Sequence, residues 1–415
     1  MKHNTRLVLL VLGAVLLLSS CTPPQGTDTT TRSGSSTTSS APVEPLQTTP
    51  AADTSTSSAT TTQPPATSGG SIAVDDRTWK IGSTFFAQNQ LALDQIFVYD
   101  DETLLFFASR QNLDGTISEQ SVVCVYSLST DRFSTQMFEL GTVAIYPETV
   151  HDDGTVSIVT MDSESYEFNG ILFFNPGQMS AEQLPLPQRD DLVSLSISPD
   201  RRYYALTTYT GVVVTDASLS TEYLSVGLHE DGGAQLVPAV TAWSKNSAYL
   251  SLRFSDTEDV YYPALADVTQ GTVRFLTDLA RQEAHLVGDR LFCHQWYPYL
   301  PCGFAQVDGT GFLPIPFEEP ALASAEISQL AVSREGSFVA VTYLTQENEV
   351  PVSCDALIAD AASGKTVRLL SFSDFDTGLY SFETIAFTPD QRTAIMTTSS
   401  TMTRPKEVYV LDFGR

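Results

Sequence analysis

The sequence predicts an all-β fold: a seven-bladed β-propeller of four-stranded blades, closed by an N-terminal strand that completes the last blade. Three observations predict it. A corner phrase recurs through residues 77–415 at close to the spacing of propeller blades. A second strand–turn–strand element follows it in most units. The chain runs out one strand short, while a strand-like segment near its start has no unit of its own.

The corner is clearest in "LSISPDRRYYALTTYT" (195–210). It returns as "VTAWSKNSAYLSLRFS" (240–255), "LAVSREGSFVAVTYLT" (330–345) and "IAFTPDQRTAIMTTSS" (385–400). Its acidic or amide residue marks seven positions: Asp101, Asp153, Asp200, Asn246, Asp289, Glu335 and Asp390. The gaps between them are 52, 47, 46, 43, 46 and 55 residues. Apolar runs flank each marker, which is the pattern of a hairpin. Asp, Asn and Ser favour such turns because their side chains bond the backbone just ahead. Pro199 and Pro389 pre-set φ for the turn.

The second element reads as strand, turn and strand in "VVCVYSLSTDRFSTQMF" (122–138), "GVVVTDASLSTEYLSV" (211–226), "ALADVTQGTVRFL" (264–276), "FAQVDGTGFLPI" (304–315) and "ALIADAASGKTVRLL" (356–370). Each unit then has four short strands, and helical periodicity is almost absent. Four-stranded sheets repeated radially make a propeller. The last unit, from "TIAFTPD" to "EVYVLDFGR", supplies three strands. "RTWKIGSTFF" (77–86) is expected to add the fourth and remove the two open edges. A repeat array also suits the size of this region, which is large for a single hydrophobic core.

The "SPD" and "TPD" corners, each followed by an apolar strand, resemble the TolB-type and WD40-like (PD40-like) propeller repeats. The resemblance runs through the whole of 77–415. It is clean in four units, loose in the second and shortened in the fifth. It implies the fold and a role in binding or assembly. Propellers of this kind also serve as accessory domains of enzymes and, less often, as enzymes.

The first 70 residues belong to no unit. Lys2 and Arg6 precede the apolar run "LVLLVLGAVLLL" (7–18), too short to span a bilayer and of the length of a secretory h-region. It ends in Leu18-Ser19-Ser20-Cys21, which resembles the lipobox of bacterial lipoproteins. That resemblance implies cleavage before Cys21 and acylation of its thiol. Residues 22–70 are mostly Thr, Ser, Pro, Ala and Gly and cannot bury a core, so they are expected to form a disordered tether. As a flexible coil it would average roughly 40 Å, and fully extended about 150 Å. The expected domains are a signal peptide (1–20), a lipidated Cys21 with its tether (21–70), and a propeller head (71–415). The expected address is the cell membrane of the envelope, lipid-anchored on the extracytoplasmic face.

The chain carries 49 acidic and 22 basic side chains, a net charge of −27. This argues against nucleic acid and against adsorption to anionic lipid, leaving the lipid chain to anchor the protein. The head is expected to be monomeric.

Few residues carry recognisable chemistry. Asp200, Glu335 and Asp390 recur in register, as a repeated turn requires, so they are read as turn residues. The most unusual stretch is "FCHQWYPYLPCGF" (292–304). A hairpin centred near Tyr297-Pro298 would set Cys293 opposite Cys302, with Cβ atoms about 4.5–5.5 Å apart. A disulfide, two unpaired thiols and a metal site are all open, in that order of preference. A metal would need His294 and a fourth ligand, and Cys-x8-Cys is not a zinc spacing. His294, Trp296, Tyr297 and Tyr299 make this the candidate binding loop, suited to a protein or a glycan. Cys124 and Cys354 lie in strands of units one and six and are read as small buried hydrophobes. No G-x-S-x-G or H-E-x-x-H is present. His151, His229, His285 and His294 look too scattered for one metal. "SDFDTG" (373–378) offers Asp374 and Asp376 but has Ile385 where an EF-hand loop needs its last acid. No catalytic residue, metal or cofactor is expected. The expected function is a non-catalytic binding or assembly module for a protein or glycan. The alternative is an extracytoplasmic enzyme acting on carbohydrate or peptide at the propeller mouth.

Metabolic labelling with a clickable fatty acid tests the anchor. The wild-type chain should take up label, and Cys21→Ser should lose it entirely while keeping the unprocessed leader.

Overall fold

The computed structural model describes residues 78–415 except 113–116, 143, 162–167, 187–190, 232–233, 256–260, 296–300, 324, 348–349, 373–381, 399–405 and 414–415. These residues form seven antiparallel sheets arranged as the blades of a propeller. Blades one to six span residues 91–142, 144–185, 192–227, 234–275, 283–314 and 326–372. In each, the four strands lie side by side in chain order; blade four adds a short strand, His229–Asp231, along its first. First strands touch one another between blades two and three, four and five, and six and seven, which places the first strands innermost. Apolar cores lie between blades: Phe292, Phe304 and Ile315 of blade five, for example, pack on Val339, Val341 and Leu357 of blade six.

Blade seven closes the ring as expected. Phe382–Phe387, Thr393–Thr398 and Val408–Asp412 are its first three strands, and Thr78–Lys80 pairs with the third as its outer strand. The sequence pattern over 77–86 overstates that strand. Residues Thr84–Gln88 form a single helical turn instead. The chain must leave blade seven and begin blade one at Leu91, and the turn carries two aromatic rings across that seam. Phe85 stacks on Phe133 with ring centroids 4.0 Å apart, and the buried Phe86 meets Phe106.

All seven marker residues lie in turns between first and second strands. Five of these turns share one geometry. In blade three, Tyr203 N–H and the Ser198 hydroxyl make a 2.9 Å bond, and the hydroxyl donates onward to Asp200 Oδ1 at 2.8 Å. Asp200 Oδ1 also accepts from Arg202 N–H. Ser244–Asn246–Tyr249 repeats the arrangement in blade four, and Thr388–Asp390–Thr393 repeats it in blade seven. The fourth residue of each turn donates its N–H back to the first and adopts a left-handed conformation: Gly154 (φ 76°), Arg201 (61°), Ser247 (59°), Gly336 (73°) and Gln391 (59°).

Three of those five residues have a Cβ and pay strain for it. In every case the position faces the preceding blade. Arg201 reaches Asp153 of blade two at 2.7 Å. Ser247 Oγ accepts from Asp200 N–H of blade three at 3.2 Å. Gln391 Oε1 accepts from Ser333 Oγ of blade six at 2.6 Å. The two glycines leave room for the preceding blade instead. Tyr99 Oη donates to the Gly154 carbonyl at 2.7 Å, and a methyl group on Gly336 would lie 2.8 Å from Phe304 Cε1. Asp390 N–H, donating to Asp101 Oδ1 at 2.6 Å, joins blade seven to blade one.

The inner strands share a second device. In six of the seven the pairing slips by one residue, three or five positions before the corner, at Asp94, Glu148, Val193, Thr241, Ser328 and Glu383. Blade five alone has an uninterrupted ladder, from Glu283 opposite His294 to Val287 opposite Arg290.

Two substitutions separate local turn chemistry from inter-blade packing in denaturant unfolding. Asp200→Ala should cost about 1 kcal/mol, the loss of local hydrogen bonds. Gly336→Ala should cost about 2–4 kcal/mol, because it adds left-handed strain to a clash with a buried ring.

Candidate functional site

Within an up-and-down blade, the first-to-second corner lies at one end. The start of the first strand and the second-to-third connection lie at the other. The corner end is nearly uniform. It has five residues in five blades (151–155, 198–202, 244–248, 333–337, 388–392), four in blade one (99–102) and two in blade five (288–289). The opposite end varies. Its connections are 112–116, 162–167, 209–210, 256–260, 295–302, 348–349 and 399–407, from two to nine residues. Repetition builds the ring at one end, and individual chemistry is available at the other.

At that variable end blade five presents a polar cluster. Glu283 and His285 stand two apart on the first strand, so they share a face, and His294 on the second strand is directly opposite Glu283. Arg253 of blade four donates from Nη1 to Glu283 Oε1 at 3.2 Å. His285 Nε2 lies 3.5 Å from the same oxygen. The two imidazoles stack with centroids 5.5 Å apart and planes 15° off parallel. His294 and Glu283 are buried, whereas the His285 side chain keeps 30% of its surface exposed. Burial pushes the His285 ring down to about pH 4; Glu283 opposes the shift, and His294 and Arg253 add to it. The imidazole is therefore neutral at pH 7 and keeps a lone pair. One donor atom from each of Glu283, His285 and His294 falls within 4.8 Å of the others, so these three could hold a metal ion.

Elsewhere at this end, Lys406 ties blade seven to blade one. Its Nζ lies 2.6 Å from Glu383 Oε2 and donates to the Asp94 carbonyl at 2.5 Å.

The structure redistributes the residues singled out from the sequence. His294 is in this cluster, buried within a strand rather than displayed on a loop. Trp296, Tyr297 and Tyr299 lie outside the described residues, as do Cys21, Asp374 and Asp376. The expectation of a Cys293–Cys302 bridge is corrected. Cys293 pairs with Gly303, one residue past Cys302, and a one-residue offset puts the sulfurs on opposite faces of the sheet. Cys293 packs with Leu265 and Leu291, Cys302 with Phe292 and Phe304, and both are free thiols pushed up to about 12 by burial. Cys124 and Cys354 are likewise buried and free.

The expected scatter of histidines is corrected in part. His151 is a corner residue whose Nδ1 sits 3.1 Å from the Ser198 carbonyl, and His229 packs on Phe275. His285 and His294 do converge. The sequence does not single out Arg253 or Glu283, and it sets His285 aside with the scattered histidines. The one available signal was Glu-x-His at strand spacing, which puts both side chains on one face.

No protein-family model matches the sequence, and no curated protein matches it. Solved structures do match. The β-propeller domain of the Trilobed protease from Pyrococcus furiosus is 12% identical with a TM-score of 0.50, over 78% of this chain and 93% of that one. A prolyl endopeptidase is 14% identical with a TM-score of 0.54, over 80% of this chain and 51% of that one. An acylaminoacyl peptidase in complex with Z-Gly-Gly-Phe-chloromethyl ketone is 13% identical with a TM-score of 0.52, over 80% and 52%. This chain thus spans about half the length of the last two. At these identities the likeness is one of fold. Among the described residues, no helix is long and apolar enough to cross a membrane.

The low His285 value has a measurable consequence. A ring whose pKa falls on folding is protonated more readily in the unfolded chain, so stability is fully present above about pH 6.5 and declines as pH falls towards 4. Imidazole NMR signals should show His285 titrating near pH 4. A His285 midpoint near 6.5 would contradict the downward shift.

Proposed function

We propose that this protein is an envelope lipoprotein, anchored through Cys21, whose propeller head binds a protein or glycan without performing chemistry on it. One observation carries the binding reading: the contrast between the uniform corner end and the variable opposite end, where the connections run from two to nine residues. A scaffold that repeats its turns at one end and individualises its loops at the other displays a recognition surface. Blade five has the second longest of these connections, and 295–302 contains Trp296, Tyr297 and Tyr299. Aromatic side chains of this kind supply contact area at small entropic cost.

The lipid anchor and the extracytoplasmic address rest on the lipobox-like Leu18-Ser19-Ser20-Cys21 and the apolar run before it.

The test is affinity capture from detergent-solubilised envelope. The wild-type chain should retain a discrete partner. Replacing residues 295–301 with a Gly/Ser segment of equal length should abolish that capture, while Asp200→Ala at the opposite end should leave it unchanged. Capture that survives the replacement would remove this loop as the site. Turnover of a glycan or peptide library by the purified chain would replace the binding reading with an enzymatic one.

A further inference from the structure

We propose that Glu283, His285 and His294 form a binding site for one divalent transition-metal ion of the zinc class. The site lies at the variable end of the propeller and keeps a coordination position open to a ligand there. The proposal goes beyond the binding role above and does not depend on it.

The donors come from two adjacent strands and need no loop to assemble. The unbroken ladder of blade five sets Glu283 opposite His294 and leaves His285 on the same face. His285 Nε2 and Glu283 Oε1 are 3.5 Å apart. Two ligands on a tetrahedral ion with bonds of about 2.0–2.1 Å are about 3.3–3.4 Å apart, so this edge already has the right length. The remaining separations, up to 4.8 Å, close with rotation of the imidazoles.

The second ring nitrogens are arranged as ligand histidines require. His294 Nδ1 lies 2.9 Å from the Gln295 carbonyl oxygen, so it carries the proton and leaves Nε2 as an acceptor. The His285 ring bonds the Thr241 backbone while its Nε2 faces Glu283. Backbone partners of this kind fix tautomer and ring orientation in metal sites. Two imidazoles and one carboxylate suit zinc, nickel, iron or copper, whereas calcium and magnesium want oxygen alone.

Arg253 is the opposing term. Its guanidinium is 3.2 Å from Glu283 Oε1 and competes with a cation for that carboxylate. The carboxylate has lone pairs for both, so Arg253 becomes an outer partner, and the affinity should be moderate. Glu283 and His294 are buried and shielded from the bulk, while the partly exposed His285 gives the ion a way in.

The experiment is isothermal titration of ZnCl2 into the chelator-stripped full chain. Excess Mg2+ is present throughout, because a chain of net charge −27 collects divalent ions diffusely. One equivalent of Zn2+ should bind. His285→Ala and His294→Ala should each weaken binding at least tenfold, and Glu283→Gln should weaken it by a comparable factor. Imidazole NMR of the wild-type chain gives a reading independent of whether the variants fold: Zn2+ should shift the signals of His285 and His294 and spare those of His151 and His229. Absence of a one-equivalent event, an event unchanged in the histidine variants, or shifts confined to other histidines would overturn the proposal.

Discussion

The structure depends on a left-handed residue at the fourth position of the blade corner. The bonds within the turn are local, made in most blades by a Ser or Thr hydroxyl and the backbone, joined in blades three, four and seven by an acid or amide. The turn becomes a structural constraint because the fourth residue faces the neighbouring blade. Arg201, Ser247 and Gln391 accept a conformation that favours glycine, and each gains a contact one blade back. Gly154 and Gly336 meet the same constraint from the other side, with Tyr99 and Phe304 of the previous blade filling the space. The turn therefore serves both as the end of a hairpin and as the joint between blades.

Closure of the ring needs more than the corner. The seam between blades seven and one uses an N-terminal strand, a helical turn and two aromatic rings. At the opposite end Lys406 bonds across the same seam, to Glu383 of one blade and the Asp94 backbone of the other. The contact between blades seven and one is thus tied at both ends, by Asp101 and Asp390 at the corner end and by Lys406 at the other, while the closure itself is the pairing of Thr78–Lys80 with Val408–Asp412 inside blade seven. Left apart, Thr78–Lys80 and the outer side of Val408–Asp412 would each expose unpaired backbone groups.

The ring was legible in the sequence because its determinants are local. "SPD" and "TPD" encode a turn within six residues, and strand alternation encodes the rest. The same locality explains what was not legible. The segment 77–86 reads as a strand, but its second half obeys the packing of Phe85 and Phe86 against blade one, which no local pattern states. Cys293 and Cys302 look opposed if the hairpin is centred between them; the true register is offset by one, and the sulfurs part to different inter-blade cores. The Glu283–His285–His294 cluster joins a Glu-x-His pair to a histidine nine and eleven residues on, with Arg253 arriving from another blade, so the convergence became visible only with the ladder.

Blade five departs from the others in three ways, and the departures belong together. Its corner is shortened to Gly288-Asp289, its outer strands are short, and its inner strand lacks the one-residue slip found in the other six. A bulge adds a residue to one strand and turns it out of the pairing, as Asp94, Thr241 and Ser328 do. Had blade five kept one within Glu283–Val287, the residues on either side of it would change partners, and Glu283, His285 and His294 would no longer share a face. The tight two-residue corner sets the register from its closed end, with Val287 opposite Arg290, and the unbroken ladder carries that register to Glu283 opposite His294. The irregular unit of the repeat is therefore the one in which three metal-competent side chains converge, and the shortened corner is what holds them in line.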